Sequence, residues 1–207
     1  MINGRSVGEA WVKYLNFIIK NGTCVDDDKG KIIECDCAIL KIKISDEDPI
    51  IDEFGNHKKV IAYCEKLFSQ DIVNDFKVSY GQRLFAYNGI NQVNWLINKL
   101  KKNSVTKSAC ISLLKAREES DDIPCLVSIQ AKIRNNRLVL IVCFRSQNVL
   151  NSYANFISIF KLGQMIAEEL EISLGRFVFF ISSPHIYLTD IEEVKRILFL
   201  SQGKFYV

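Results

Sequence analysis

A cysteine at position 125 directly follows Pro124, and twenty residues later the chain carries Phe144-Arg145-Ser146. Between them lie two apolar runs, residues 126–133 and 137–144, separated around Asn135-Asn136. Asparagine tolerates positive φ, so these runs are expected to form a β-hairpin. A hairpin returns its ends to one edge, which sets Cys125 beside Arg145. Pro124 stiffens the chain just ahead of the thiol and would hold it at a cavity mouth. A guanidinium next to a thiol favours the nucleophilic thiolate and also binds phosphate bidentately. The same residues admit a plainer reading, a small core cysteine with a surface arginine. A second group, Ser182-Ser183-Pro184-His185-Ile186-Tyr187, follows another apolar run. His185 and Tyr187 alternate along the chain and so are expected on one face, where their two hydrogen-bonding tips suit a pair of sugar hydroxyls. The plainer alternative there is a satisfied histidine and a rim tyrosine.

The elements that must hold these groups follow from periodicity. Residues 8–20 place Trp11, Leu15, Ile18 and Ile19 at helical spacing, closed by Asn21-Gly22. Residues 31–44 alternate Ile33, Cys35, Cys37 and Ile39, which predicts one strand with those cysteines on its buried face. Helices are expected over 58–69, 90–102 and 156–170, with a short one over 191–198; further strands are expected over 109–114 and 177–181. Acidic residues 45–53 and the segment 120–122 read as surface loops. Strands and helices are mixed rather than strictly alternating, with a central antiparallel component, so the class is α+β in a single domain over 1–207.

Composition narrows the function. Of 207 residues 48% are apolar and 25% charged, enough for a buried core and unlike a disordered chain. No run approaches the roughly 20 apolar residues of a membrane span, and the N-terminus lacks a signal-peptide apolar stretch. A net charge of +3 is too small to imply nucleic-acid binding, and Lys99, Lys101, Lys102 and Lys107 read as a solvated helix end. Seven cysteines without a C-x-x-C pair, and only two histidines, argue against a zinc site. Reduced thiols in a cytoplasmic protein are the expectation.

Across most of its length the chain resembles thymidylate synthase, in particular its short archaeal-type branch and related pyrimidine-nucleotide hydroxymethylases. The resemblance lies in Gly8-Glu9-Ala10-Trp11, the Asp28-Lys29-Gly30 turn, Tyr80-Gly81-Gln82-Arg83 and Pro124-Cys125 with Gln130. It continues in Phe144-Arg145-Ser146, Ala154-Asn155, Ala167-Glu168-Glu169-Leu170 with Gly175, and His185-Ile186-Tyr187. It implies a central, mostly antiparallel sheet flanked by helices, with one sheet face packed in a homodimer. It also implies cysteine-dependent C5 methylation of dUMP, with 5,10-methylenetetrahydrofolate or a related reduced pterin as one-carbon donor. Cys125 would add to C6 of the pyrimidine. Arg145 and Ser146 would bind the 5′-phosphate, Asn155 would read the base edge, and His185 and Tyr187 would hold the sugar 3′-hydroxyl. Tyr80 would help remove the C5 proton through water. Lys29 and Lys107 fall where phosphate-binding arginines are usual, Lys107 acting across the dimer. The chain departs from the family pattern at Asn148, usually an aspartate, and at Asn151-Ser152-Tyr153, which replaces a glycine- and proline-containing segment. Two alternatives stay open, a pyrimidine-nucleotide C5-hydroxymethylase and a catalytically silent nucleotide-binding homologue.

Overall fold

Helical and alternating periodicities sort the chain into a mixed α/β fold, seen in a computed structural model that describes residues 1–43, 54–70, 79–116 and 123–205. The first half contains β1 (Ile2–Gly4), α1 (Val7–Asn21), β2 (Thr23–Asp27), β3 (Gly30–Glu34), β4 (Ala38–Lys43) and α2 (His57–Phe68). Then come α3 (Tyr80–Phe85), α4 (Gln92–Lys102), β5 (Cys110–Ser112), β6 (Leu126–Arg134), β7 (Arg137–Asn148), α5 (Ser152–Glu169), β8 (Ser173–Tyr187) and α6 (Ile191–Phe205). Among the described residues these eight strands form one sheet in the order β1-β4-β8-β7-β6-β5, with the β2–β3 hairpin attached through β3 to β8. Two pairings are parallel, β1 with β4 and β7 with β8. The others are antiparallel, as the α+β reading expects. The loops expected at 45–53 and 120–122 lie outside the described residues.

Each of the first four helices starts at a side-chain cap. Ser6, Asn56, Ser79 and Asn91 accept from the backbone N–H three residues on, which satisfies a donor that the helix itself leaves open. The β6–β7 hairpin turns at Asn135 and Asn136, with φ of 52° and 54°, and closes on the Arg134–Arg137 pair. That is the positive-φ turn expected from the two asparagines.

The single strand expected over 31–44 is corrected. It is two strands broken at residues 35–37, and its buried phase is the opposite one. Ile32, Ala38, Leu40 and Ile42 face the core, Cys35 is half-buried, and Cys37 and Ile39 are exposed. The break lets β3 and β4 pair with different parts of β8, so a continuous alternation could not have served both. β7 and β8 also run beyond their apolar centres. Their polar ends pair with one another, Ser146 with Ser183, Gln147 with Pro184 and Asn148 with His185.

One face of the sheet carries the core. Phe156 of α5 lies 4.3 Å from Phe179 of β8, centroid to centroid, and Trp11 of α1 donates through Nε1 to the Val149 carbonyl at 2.9 Å. That bond ties α1 to the 3-10 turn leading from β7 into α5. Gly163 lets α5 approach the sheet, because a Cβ there would stand 2.7 Å from Phe177 Cζ. On the opposite face the register partners Ile39 and Phe180 remain 37% and 41% exposed. No helix among the described residues is long and apolar enough to cross a membrane.

Candidate active site

The polar ends of three core strands converge. β6 and β7 are antiparallel, so the start of one meets the end of the other, and the Arg145 N–H donates to the Cys125 carbonyl at 2.9 Å. β7 and β8 are parallel, so Arg145–Asn148 and Ser183–Tyr187 finish at the same sheet end. They open onto a cavity of about 770 Å³. The β2–β3 hairpin supplies a further wall with Asp26–Lys29, Ile32 and Glu34. α2 contributes Tyr63, Lys66 and Leu67, the start of α3 contributes Ser79 and Tyr80, and α5 contributes Asn155, Ser158 and Ile159.

Eight of the nine residues singled out from sequence line this one cavity: Lys29, Tyr80, Cys125, Arg145, Ser146, Asn155, His185 and Tyr187. The ninth, Lys107, does not. It is exposed ahead of β5, where its carbonyl accepts from Gln130 Nε2 at 2.6 Å. The hairpin arithmetic for Cys125 and Arg145 and the period-two argument for His185 and Tyr187 both hold. The two rings meet edge to face with centroids 5.2 Å apart.

Arg145 does more than border the cysteine. Its Nε donates to the Pro124 carbonyl at 3.1 Å and its Nη2 to the Ile123 carbonyl at 2.8 Å. The guanidinium thus braces the two residues just before Cys125. A guanidinium has five N–H donors. The three left over, both on Nη1 and one on Nη2, have no partner among the described residues and can meet an anion. Cys125 is a free, half-buried thiol. Beside it the Tyr80 hydroxyl accepts from the Leu126 N–H at 3.3 Å. Burial pushes that phenol far above its ordinary range, and negative charge on Cys125 adds to the shift. Burial and then Cys125 likewise raise Tyr63. Both phenols are therefore neutral at ordinary pH, able to donate a hydrogen bond or pass a proton.

The histidine end is equally tied down. Glu34 accepts from Ser183 Oγ, and His185 Nδ1 lies 3.2 Å from the Ser183 carbonyl oxygen. Tyr187 donates to Asp27 Oδ2 at 3.4 Å. Asn148, the residue unusual for the resemblance, spends its amide within the protein: Oδ1 accepts from Leu150 N–H at 3.0 Å and Nδ2 donates to Asp190 at 3.1 Å. Sequence reasoning missed Tyr63 and Lys66, one turn apart on α2, as well as Glu34, Gln147 and the aspartates that precede Lys29 along the cavity wall. The signals for them were faint: an i, i+3 polar pair on an otherwise amphipathic helix, and three aspartates before a turn.

The comparisons with known proteins agree with this geometry. Residues 40–204 match the family model described as thymidylate synthase. A protein of Methanococcoides burtonii named "Putative thymidylate synthase" is 28% identical, covering 96% of this chain and 94% of its own length. A protein of the same name from Methanosarcina mazei is 27% identical over the same shares. Another, from Methanocaldococcus jannaschii, is 31% identical over 92% of each chain. With the sheet, the cavity and its residues in place, the chain belongs to the thymidylate synthase family.

Proposed function

We propose that the protein transfers a one-carbon unit to C5 of a uracil nucleotide, in the family's own reaction the methylation of dUMP, with Cys125 as the nucleophile. The observation that carries this reading is the convergence of Cys125, Arg145, Asn155 and His185-x-Tyr187 on one cavity. An unactivated pyrimidine C5 is a poor nucleophile. Addition of the Cys125 sulfur to C6 places charge on O4 and makes C5 reactive; loss of the C5 proton and expulsion of the sulfur later restore the ring. Arg145, with donors to spare, and Ser146 hold the 5′-phosphate, with Lys29 as a point charge at the rim. Asn155 pairs with the uracil edge, which an amide can read as both donor and acceptor. The neutral Tyr80 passes the C5 proton, directly or through water.

A cavity of about 770 Å³ exceeds what a mononucleotide fills and lies within the range of sites for larger ligands. Leu67, Phe144 and Ile159 give it apolar wall near the cysteine, which suits the flat ring of a reduced pterin. Such a donor supplies the electrophilic carbon and, for methylation, the reducing hydride. The alternative outcome, a hydroxymethyl product, is favoured by the departure at Asn148, where an amide that donates to Asp190 and accepts from the Leu150 N–H lines the cavity in place of the family's usual aspartate. Incubation with dUMP or UMP and methylenetetrahydrofolate tests the proposal. Dihydrofolate with a methyl mass gain supports methylation, and a hydroxymethyl gain without dihydrofolate supports the alternative. No turnover, with nucleotide binding indifferent to Cys125→Ala, would leave a silent homologue.

The molecule is proposed to be a homodimer that covers Ile39 and Phe180, in which Lys107 of each chain reaches the other's phosphate. A monomer by light scattering at micromolar concentration would refute this. The proposal extends to a reducing compartment such as the cytoplasm, a reading supported by seven free cysteines.

A further inference from the structure

Two phenols border Cys125, and they are held differently. The Tyr80 hydroxyl oxygen is fixed by the Leu126 N–H at 3.3 Å. Tyr63, on α2, is half-buried with its ring packed against the core, and it lines the same cavity. Its hydroxyl has no hydrogen-bond partner among the described residues. Packing sets where that hydroxyl stands. Val60, Cys64 and Leu67 form the buried stripe of α2. The Cys64 sulfur accepts from Ser158 Oγ at 3.7 Å, which seats α2 on α5. Tyr63 directly precedes Cys64, and Asn155 lies one turn before Ser158 on α5. The contact therefore brings Tyr63 to the side of the cavity that carries Asn155. Tyr63 is also within electrostatic reach of the nucleophile, for burial and then negative charge on Cys125 push its phenol up. A ring held between the thiol and the base-reading amide would turn its C4–C5–C6 side towards this hydroxyl.

We propose that Tyr63 is a further catalytic residue, whose O–H donates to O4 of the pyrimidine as the Cys125 sulfur adds to C6 and negative charge gathers there. The inference rests on the reading of the cavity as a uracil-nucleotide site with Cys125 as nucleophile. A phenol kept neutral beside a thiolate acts as a donor, not as a base. To the ground-state carbonyl it gives an ordinary hydrogen bond; to the enolate it gives a charge-assisted one, so the interaction strengthens as the adduct forms. Leu67 and Ile159 line the cavity with Tyr63 and exclude water from part of it, which favours a fixed donor over solvent. The role is the same for a methyl and a hydroxymethyl product, because both begin with this addition.

The test uses the full chain and needs no one-carbon donor. Debromination of 5-bromo-dUMP by dithiothreitol passes through the same adduct. The Cys125 sulfur adds to C6 and C5 takes a proton. A dithiothreitol thiolate then removes the bromine and leaves its electron pair on the ring as the O4 enolate, and expulsion of the Cys125 sulfur gives dUMP. The second thiol of dithiothreitol displaces bromide and closes the cyclic disulfide. Tyr63→Phe removes only an O–H that no described residue bonds, so the urea midpoint should be unchanged. Its debromination kcat should fall about 100-fold, the lower end of the loss from one oxyanion donor. The KM for 5-bromo-dUMP and the calorimetric affinity for dUMP should stay within about threefold of wild type. A kcat within about threefold of wild type, or a fall in kcat matched by an equal loss of dUMP affinity, overturns the inference and leaves the uracil-nucleotide site standing. Wild type that binds dUMP but does not debrominate the analogue, or Cys125→Ser that does, removes Cys125 as the nucleophile. Wild type that does not bind dUMP removes the reading of the cavity, and the inference falls with either.

Discussion

Arg145 is assigned two tasks, and a pair of substitutions separates them. In Arg145→Ala the carbonyls of Ile123 and Pro124 lose donors that now stand 2.8 and 3.1 Å away. Hydrogen bonds from a charged donor contribute about 1.5–3 kcal/mol each when well buried. The arginine is only half-buried and water can replace part of each bond, so the expected stability loss is about 2 kcal/mol, read as a lower urea midpoint at constant m. The second task is phosphate binding by the three remaining donors. Its signature is a ratio: the affinity for a uracil nucleotide divided by that for the corresponding nucleoside. Loss of a bidentate charged contact should reduce this ratio by about 10- to 100-fold in the variant. The double difference cancels any general damage to the cavity, because nucleoside binding feels that damage equally. Arg145→Lys should recover part of the stability but little of the ratio, since an ammonium lacks the fork. An unchanged nucleotide-to-nucleoside ratio in Arg145→Ala would remove the phosphate assignment. A stability loss within about 0.5 kcal/mol would remove the brace.

Covalent capture of a 5-fluoro-uracil nucleotide, followed by intact mass, should occur in wild type and vanish in Cys125→Ser; adduct on another of the seven cysteines would contradict the nucleophile assignment. Gly163→Ala should destabilise the protein by about 1–2 kcal/mol in thermal or urea unfolding, since overpacking against the buried Phe177 and Leu140 outweighs the helix-propensity gain of about 1 kcal/mol. A stabilised variant would show that Phe177 can move aside. Glu9 gives a pH dependence. Burial pushes its carboxyl up, but the Lys13 ammonium at 2.7 Å and the Arg5 N–H at 2.7 Å hold it below its ordinary value of 4.5. A lowered folded value means that the carboxylate's contribution is complete above 4.5 and fades as pH falls through the folded value. Glu9→Gln should therefore cost about 1 kcal/mol at pH 7 and progressively less as pH falls below 4.5; a difference that does not shrink in acid would show that charge is not its source.

What the sequence discloses depends on the range of the interaction. The β6–β7 hairpin was legible because its turn is local and two asparagines accept the positive φ it needs. The long helices were legible from their apolar stripes. β2 was not, for all five of its residues are exposed and TCVDD shows no buried alternation. α3 was not, since six residues are too few to show a period. Its place depends on a Ser79 cap and on Gly81, where an added Cβ would collide with the Ser69 carbonyl oxygen. The phase of β3 and β4 was misread because Cys35, Cys37 and Ile39 alternate as cleanly as Ile32, Ala38, Leu40 and Ile42 do once the break is ignored. Within the site, each local pair could be derived: Cys125 with Arg145, His185 with Tyr187. That the two pairs share one cavity could not.

Their meeting depends on the parallel pairing of β7 with β8, strands joined through all of α5 and invisible to any local pattern. Parallel strands end together, so the polar tail of β7, where hydropathy alone would have stopped the strand, finds its hydrogen-bonding partner in the polar tail of β8. The register that aligns them is set far from the chemistry. Between Leu138 and Val139 the pairing shifts by one residue, and Gly175 is the residue passed over, packed so close to the Leu138 carbonyl oxygen that a Cβ would stand 2.7 Å from it. A strand slipped by one residue turns each side chain to the other face. Without that bulge, β8 would reach the sheet's far end one residue out of step and turn His185 and Tyr187 away from the cavity that Cys125 and Arg145 share. The small residue at 175 therefore acts on the site through backbone geometry alone, across the length of the sheet's two central strands.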